Sequence, residues 1–292
     1  MTTLVDKNTR LAVQGITGKA ASLHTRIMRE YGTQVVAGVR PGAAGRTVEE
    51  VPVYDTIADA VKASGANAST LFVPAYAIRE AAFEALDAGI ELLVMVPEHV
   101  PLHDTMAIVE RATATGARVV GPNTPGLICP AANCKIGFLP QRYFEDGPVG
   151  VASRSGTLTY EIVSRLSGAG MGQSTCVGVG GDPIVCTTFA QMLQSFEADD
   201  ATSAIVLVGE IGGSMEEDAA ELVVQKQVTK PVVAFLAGRN APKDKRMGHA
   251  GAIVAAGRGS IESKLEAFEK AGIAVADQPA DVVPLVKRAL GR

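Results

Sequence analysis

Short apolar, β-rich runs alternate with amphipathic stretches along the whole chain, and this alternation narrows the choice of fold more than any other feature. The runs fall at residues 11–16, 34–39, 69–73, 91–96, 118–120, 149–152, 174–179, 204–208 and 231–236. Most are continuous stretches of Val, Ile, Leu and Ala rather than polar-apolar alternations, the pattern of strands covered on both faces. Stretches with helical periodicity lie between them, such as 78–88 and 216–227. Strand and helix in alternation predict parallel, doubly wound sheets. The segment Gly121-Pro122-Asn123-Thr124-Pro125-Gly126 interrupts the rhythm, and an irregular stretch follows to about residue 148. The expected division is therefore 1–122 and 123–292, two α/β domains of ordinary size in a chain of 292 residues.

Composition removes several function classes. The net charge of −4 gives no reason to expect nucleic acid or an anionic membrane as partner. No apolar run reaches the roughly 18 residues of a membrane span, and the first residues do not form a signal peptide. A cytoplasmic chain is expected. Its four cysteines, Cys129, Cys134, Cys176 and Cys186, fit no common zinc spacing and read as reduced core or loop residues.

Four glycine-rich loops follow predicted strands. Gly15-Ile16-Thr17-Gly18-Lys19-Ala20 follows the first. Glycines at such a turn let the backbone approach a phosphate at a helix N-terminus. The loop is neither a G-x-G-x-x-G fingerprint nor a Walker A loop, and a tight turn without ligand is an equal reading. Ser153-Arg154-Ser155-Gly156-Thr157-Leu158-Thr159-Tyr160-Glu161 opens a helix. Either serine serves as its cap, and the same end presents backbone N–H groups and hydroxyls to a phosphate or carboxylate. Gly178-Val179-Gly180-Gly181-Asp182-Pro183 turns the chain or shapes a pocket. Gly209-Glu210-Ile211-Gly212-Gly213 sets a carboxylate at a strand's C-terminal edge, where open α/β sheets bind ligands. Glu210 is either a surface acid or the group that orients a histidine.

Met247-Gly248-His249-Ala250-Gly251 supplies such a histidine. Small neighbours let a bulky group reach the ring, and the preceding Lys243-Asp244-Lys245-Arg246 favours a phosphorylated partner. A histidine in this setting can take a phosphoryl group as nucleophile. His24, His99 and His103 have no second ligand at metal spacing, so they are read as structural and no metal site is expected.

Together these motifs resemble the alpha subunit of succinyl-CoA synthetase (succinate–CoA ligase), over nearly the whole chain. The stretches at 153–161, 173–178, 180–183, 209–214 and 246–252 carry the resemblance. It implies an N-terminal Rossmann-like CoA-binding domain and a C-terminal flavodoxin-like ligase domain. It implies that His249 is phosphorylated, that Glu210 supports its ring, and that Ser155, Gly156 and Thr157 open the helix holding the phosphoryl group. CoA contacts fall on Thr17, Gly18, Lys19, Ala20, Arg46, Val96, Pro97 and Glu98, and a substrate contact on Tyr160. The resemblance also implies a beta subunit whose ATP-grasp domain binds ATP or GTP with Mg2+. No segment of this chain remains for such a domain, so the chain is expected to be inactive alone.

The departures from the family cluster at the CoA and acid sites. Lys19-Ala20 stands for a usual Ser-Gln, Ala43 for a lysine, Val48 for a histidine, Thr124 for a cysteine and Val185-Cys186 for Pro-Gly or Asn-Gly. Lys19 or Arg46 is expected to restore the missing charge at the CoA phosphates. The acid is expected to be a short dicarboxylate, with succinate leading. A ligase for malate, itaconate, citrate or a sulfonated acid is one alternative, and a non-catalytic CoA-binding regulatory protein the other.

Overall fold

The computed structural model describes residues 4–239 and 258–292. These form two compact units. One comprises Leu4–Gln141 with Ile184–Cys186, and the other Arg142–Pro183 with the chain from Thr187 onward. Both are parallel α/β units, the first Rossmann-like and the second flavodoxin-like.

In chain order, the first unit contains β1 (Arg10–Gln14), α1 (Lys19–Tyr31), β2 (Gln34–Val39), β3 (Thr47–Val48), β4 (Val51–Tyr54), α2 (Ile57–Ser64) and β5 (Ala68–Leu71). It continues through α3 (Ile78–Asp87), β6 (Leu92–Met95), α4 (Leu102–Thr115), β7 (Arg118–Val120), β8 (Gly126–Cys129) and β9 (Cys134–Gly137). Its sheet runs β3-β4-β2-β1-β5-β6-β7, parallel except where β3 meets β4. The chain builds from β1 to one side, then crosses to β5 on the other. The strand ends at β1 and β5 are therefore a topological switch point. Ala12, Ile57, Leu71, Ile78 and Leu93 are buried in the core between sheet and helices.

The segment 123–141, expected to be irregular, instead holds β8 and β9, which pair as an antiparallel hairpin. The cause is packing on α1 and the residues after it. The Thr33 hydroxyl donates to the Lys135 carbonyl at 2.8 Å and accepts from the Lys135 N–H at 2.9 Å. The Gly137 N–H points at the Met28 sulfur, 3.4 Å away. At Gly126 (φ 101°) a Cβ would lie 1.9 Å from the Ile136 carbonyl oxygen, so only glycine allows the strands to approach this closely.

The second unit contains β10 (Asp146–Ser153), α5 (Gly156–Gly168), β11 (Gln173–Gly178), α6 (Phe189–Glu197), β12 (Ala204–Glu210) and α7 (Met215–Val224). Then come β13 (Val232–Ala237), α8 (Ile261–Ala271), β14 (Ala274–Ala276) and α9 (Val282–Ala289). Its strands lie in the order β14-β13-β12-β10-β11, all parallel. The chain steps from β10 to β11, then crosses to β12 on β10's other side. The ends of β10 and β12 thus form this unit's switch point. Among the described residues no helix is long and apolar enough to cross a membrane.

Candidate active site

At the switch point of the second unit, β10 ends in Ser153 and the chain turns through Arg154 and Ser155 into α5. Ser155 is the N-cap. Its backbone is extended (φ −111°, ψ 123°) and its hydroxyl accepts from the Leu158 N–H at 3.4 Å. Ser153 has a different part: its hydroxyl donates to the Ser155 carbonyl at 2.9 Å and accepts from the Ser155 N–H at 3.1 Å. This pair fixes the turn. No acid lies in the first turn of α5, so Gly156 and Thr157 open a helix end whose partial positive charge is not cancelled locally. Thr157 is exposed and Gly156 half-buried. Tyr160 stands within the first two turns of α5, half-buried, and its phenol is pushed up by burial and then by the nearby Cys176.

Glu210 is the last residue of β12, the strand beside β10, and it is buried. Its Oε1 lies 3.2 Å from Arg154 Nη2. The structure thus brings the helix opening at Ser155 and the Glu210 carboxylate to one strand edge, joined through Arg154. Arg154 was not among the residues expected at the site. The arginine is buried, and its Nη1 donates to the Gly212 carbonyl at 2.6 Å, to Glu216 Oε1 at 3.3 Å and to the Glu210 carbonyl at 3.4 Å. Glu216 and Lys264, both fully buried, form an ion pair behind it. A signal for Arg154 was present, since it sits between the two serines of a strand-to-helix turn. Glu216 and Lys264 carried none: an acidic first turn and a lysine on an amphipathic helix read as solvated surface. His249, the expected phosphoryl carrier, lies outside the described residues.

The expected CoA residues occupy the same kind of position in the first unit. Gly15 follows β1 with φ 80°, and a Cβ there would come within 2.8 Å of the Phe72 carbonyl oxygen, so the turn requires glycine. Thr17, Gly18, Lys19 and Ala20 are exposed at the start of α1. Gly18 is the N-cap with extended backbone (φ −67°, ψ 144°), no side chain caps this end, and no acid lies in its first turn. Such an end fits a phosphate.

Val96, Pro97 and Glu98 follow β6, two strands from β1 on the same sheet edge. Arg46 is exposed in the loop after β2. There the N–H groups of Ala43 and Ala44 both donate to Asp55 Oδ1 at 2.9 Å. The cysteines are reduced: Cys129, Cys134 and Cys176 are buried and Cys186 is half-buried. Among the described residues no cluster of His, Cys, Asp or Glu could hold a metal ion.

Two parallel units, one with an uncapped helix opening after its first strand and one with a buried acid beside a Ser-capped helix, form an arrangement shared with proteins of known activity. Residues 6–99 match the CoA binding domain family, and residues 152–274 match the CoA-ligase family. The succinate–CoA ligase [ADP-forming] subunit alpha of Methanothermobacter thermautotrophicus is 49% identical, over 99% of this chain and 97% of its own length. Subunit alpha 1 of Archaeoglobus fulgidus is 51% identical over 98% of each chain.

Solved structures agree in fold. An ATP citrate lyase from Methanothrix soehngenii, in complex with citrate and coenzyme A, superposes with a TM-score of 0.89 at 24% identity, over 99% of this chain and 51% of that one. A dinucleotide-forming acetyl-coenzyme A synthetase from Ca. Korarchaeum cryptofilum gives 0.78 at 22% identity, over 99% of this chain and 62% of that one. The chain therefore spans about half to three-fifths of those solved chains but nearly all of its close relatives. It belongs to the alpha-subunit family of succinate–CoA ligases.

Proposed function

We propose that this chain is the alpha subunit of an acid–CoA ligase that makes an acyl-CoA thioester from a short dicarboxylate, most simply succinate, with CoA and a nucleoside triphosphate. The observation that carries the reading is the meeting of the Ser155-capped helix opening and the buried Glu210 at one switch point, 3.2 Å from Arg154 on the carboxylate side. A carboxylate is a poor acyl donor. Phosphorylation converts it to an acyl phosphate, and the CoA thiolate then displaces phosphate to give the thioester.

In this reading His249 carries the phosphoryl group between the nucleotide and the acid. Glu210 fixes the tautomer of its ring and offsets the positive charge that phosphorylation creates. The N–H groups that open α5 at Gly156 and Thr157 receive the phosphoryl oxygens, with Ser155 as cap. Tyr160, on the same helix, faces the acid. Thr17, Gly18, Lys19 and Ala20 hold the CoA phosphates at the start of α1, with Arg46 adding charge and Val96, Pro97 and Glu98 lining the same edge. A beta subunit with an ATP-grasp domain supplies the ATP or GTP site and its Mg2+. Reduced cysteines throughout suit work in the cytoplasm.

The test is a panel of succinate, malate, itaconate, citrate and sulfoacetate, assayed for CoA-thioester formation by the chain with its native partner. Succinate is expected to lead. If it falls tenfold or more below another acid in kcat/KM, about 1.4 kcal/mol of transition-state preference runs against it, and the acid assignment fails. No thioester from any short acid would overturn the ligase reading itself.

A further inference from the structure

We infer that Arg40 is a specificity-determining residue of the first unit: its guanidinium, at the end of β2, takes the 3′-phosphate on the adenosine ribose of CoA and so separates CoA from dephospho-CoA. The inference rests on the CoA-binding role proposed for this unit. Its ground is the place of Arg40 in the sheet. β2 lies beside β1, with Val39 in register with Gln14. The Gly15 N–H donates to the Val39 carbonyl at 2.9 Å, so Arg40 is the residue that follows the contact with the glycine turn. Gly38 lets the two segments close on each other: a Cβ there would lie 2.5 Å from Ile16 Cδ1, so the loop after β1 rests its Ile16 side chain on β2. In a parallel sheet with this switch point, the residue about 20 positions after the glycines reads what the ribose of a bound dinucleotide carries. A carboxylate there accepts from free hydroxyls, and an arginine accommodates a phosphate. Arg40 holds that place relative to Gly18, and it is an arginine.

The loop that begins at Arg40 is held by its backbone. The Arg40 N–H donates to the Tyr54 carbonyl at 2.9 Å, and the Arg40 carbonyl accepts from the Ala43 N–H at 3.1 Å. At the loop's other end the Arg46 N–H donates to the Ala43 carbonyl at 3.2 Å, and the Arg46 carbonyl accepts from the Val53 N–H at 2.9 Å. Both arginine side chains are exposed, and among the described residues neither makes a hydrogen bond or ion pair. The acids on the neighbouring elements have partners of their own. Asp55 Oδ1 accepts the two loop N–H groups, Glu49 Oε1 accepts from the Ser22 hydroxyl at 2.9 Å, and Glu50 Oε2 lies 2.8 Å from Arg29 Nη2. CoA differs from dephospho-CoA by one phosphate monoester, close to a dianion at neutral pH. The planar fork of a guanidinium matches such a group in charge and geometry. The two kinds of phosphate then fall on different elements. The opening of α1, with Lys19, receives the pyrophosphate, and Arg40, one strand away, receives the phosphate on the ribose.

The experiment measures binding of CoA and of dephospho-CoA by calorimetry, using the chain in complex with its beta subunit, for the parent, Arg40→Gln and Lys19→Gln. The parent is expected to bind CoA at least tenfold tighter than dephospho-CoA. Arg40→Gln should weaken CoA tenfold or more and leave dephospho-CoA within about twofold of the parent, so that the selectivity collapses. The Arg40 side chain is exposed and only its backbone is engaged, so this variant is expected to unfold at the parent temperature. Lys19→Gln should weaken both ligands by a similar factor, since both carry the pyrophosphate. Arg40→Gln weakening both ligands equally, as a disturbed loop or a general loss of charge would, overturns the inference. CoA binding at the parent level in Arg40→Gln, a parent that binds the two ligands alike, or a loss confined to CoA in Lys19→Gln also overturns it. A parent complex that binds neither ligand overturns the underlying CoA reading instead.

Discussion

Lys135 is buried on β9, and its ammonium donates to a neutral partner, the Gln141 side-chain carbonyl, at 2.8 Å. Burial alone pushes its pKa down from 10.5 to about 8. Nearby, His24 stacks on Phe72 at 6.1 Å and tilts against Phe138 at 5.9 Å, and its pKa is lowered by burial and then by the charge of Lys135. A lysine with a depressed folded-state pKa has a definite linkage sign. Between about pH 8 and pH 10.5 the unfolded chain holds the proton and the folded chain has released it, so stability rises with pH in that window. The unfolding free energy of the parent minus that of Lys135→Met should therefore increase between pH 7.5 and pH 10, as read by urea titration. Subtracting the variant removes the titration of other groups. A difference that stays flat would mean the ammonium is not desolvated as the burial of Lys135 requires.

The individual residues differ in how plainly they could be read in the sequence. Ser155 and Glu210 were legible because each sits at a strand end beside glycines, where an open α/β sheet exposes its chemistry. Lys135, Lys264 and Glu216 were not, since local sequence does not distinguish a buried charge from a solvated one. Only the contact that neutralises it, from an element far along the chain, makes the difference.

At the scale of elements, the two helix openings do similar work with different means. The opening of α5 is capped by Ser155 and fixed by Ser153, while that of α1 begins at Gly18 with no side-chain cap. In the proposed reading the uncapped end leaves its N–H groups to the CoA phosphates, and Lys19 and Arg46 add the charge. Each charge-assisted contact of this kind is worth roughly 1.5–3 kcal/mol. Calorimetry on Lys19→Ala and Arg46→Ala should therefore show CoA affinity reduced by about tenfold or more in at least one of them. Parent-like binding by both would remove these residues from the CoA site.

The elements were largely legible. Continuous apolar runs marked the long parallel strands because those strands are covered on both faces. The β8–β9 hairpin was not, because its strands are four residues each, one of them interrupted by Lys135, too short and too mixed to show a period.

For the whole molecule, the proposed reading divides the chemistry between the two parallel units. One presents a helix opening suited to the CoA phosphates, the other a helix opening and a buried acid suited to phosphoryl transfer. The fold alone does not specify the reaction, since related folds serve a citrate lyase and an acetyl-CoA synthetase. What separates a ligase from a silent CoA-binding relative is whether a phosphoryl group is taken up by this chain. The most direct measurement combines the chain with its beta subunit, nucleoside triphosphate and magnesium, then maps the phosphate by mass spectrometry under alkaline conditions. The account predicts a single acid-labile phosphate on His249, absent from His249→Asn, which should also lose thioester formation. Phosphate found on another residue, or full turnover by His249→Asn, would contradict it.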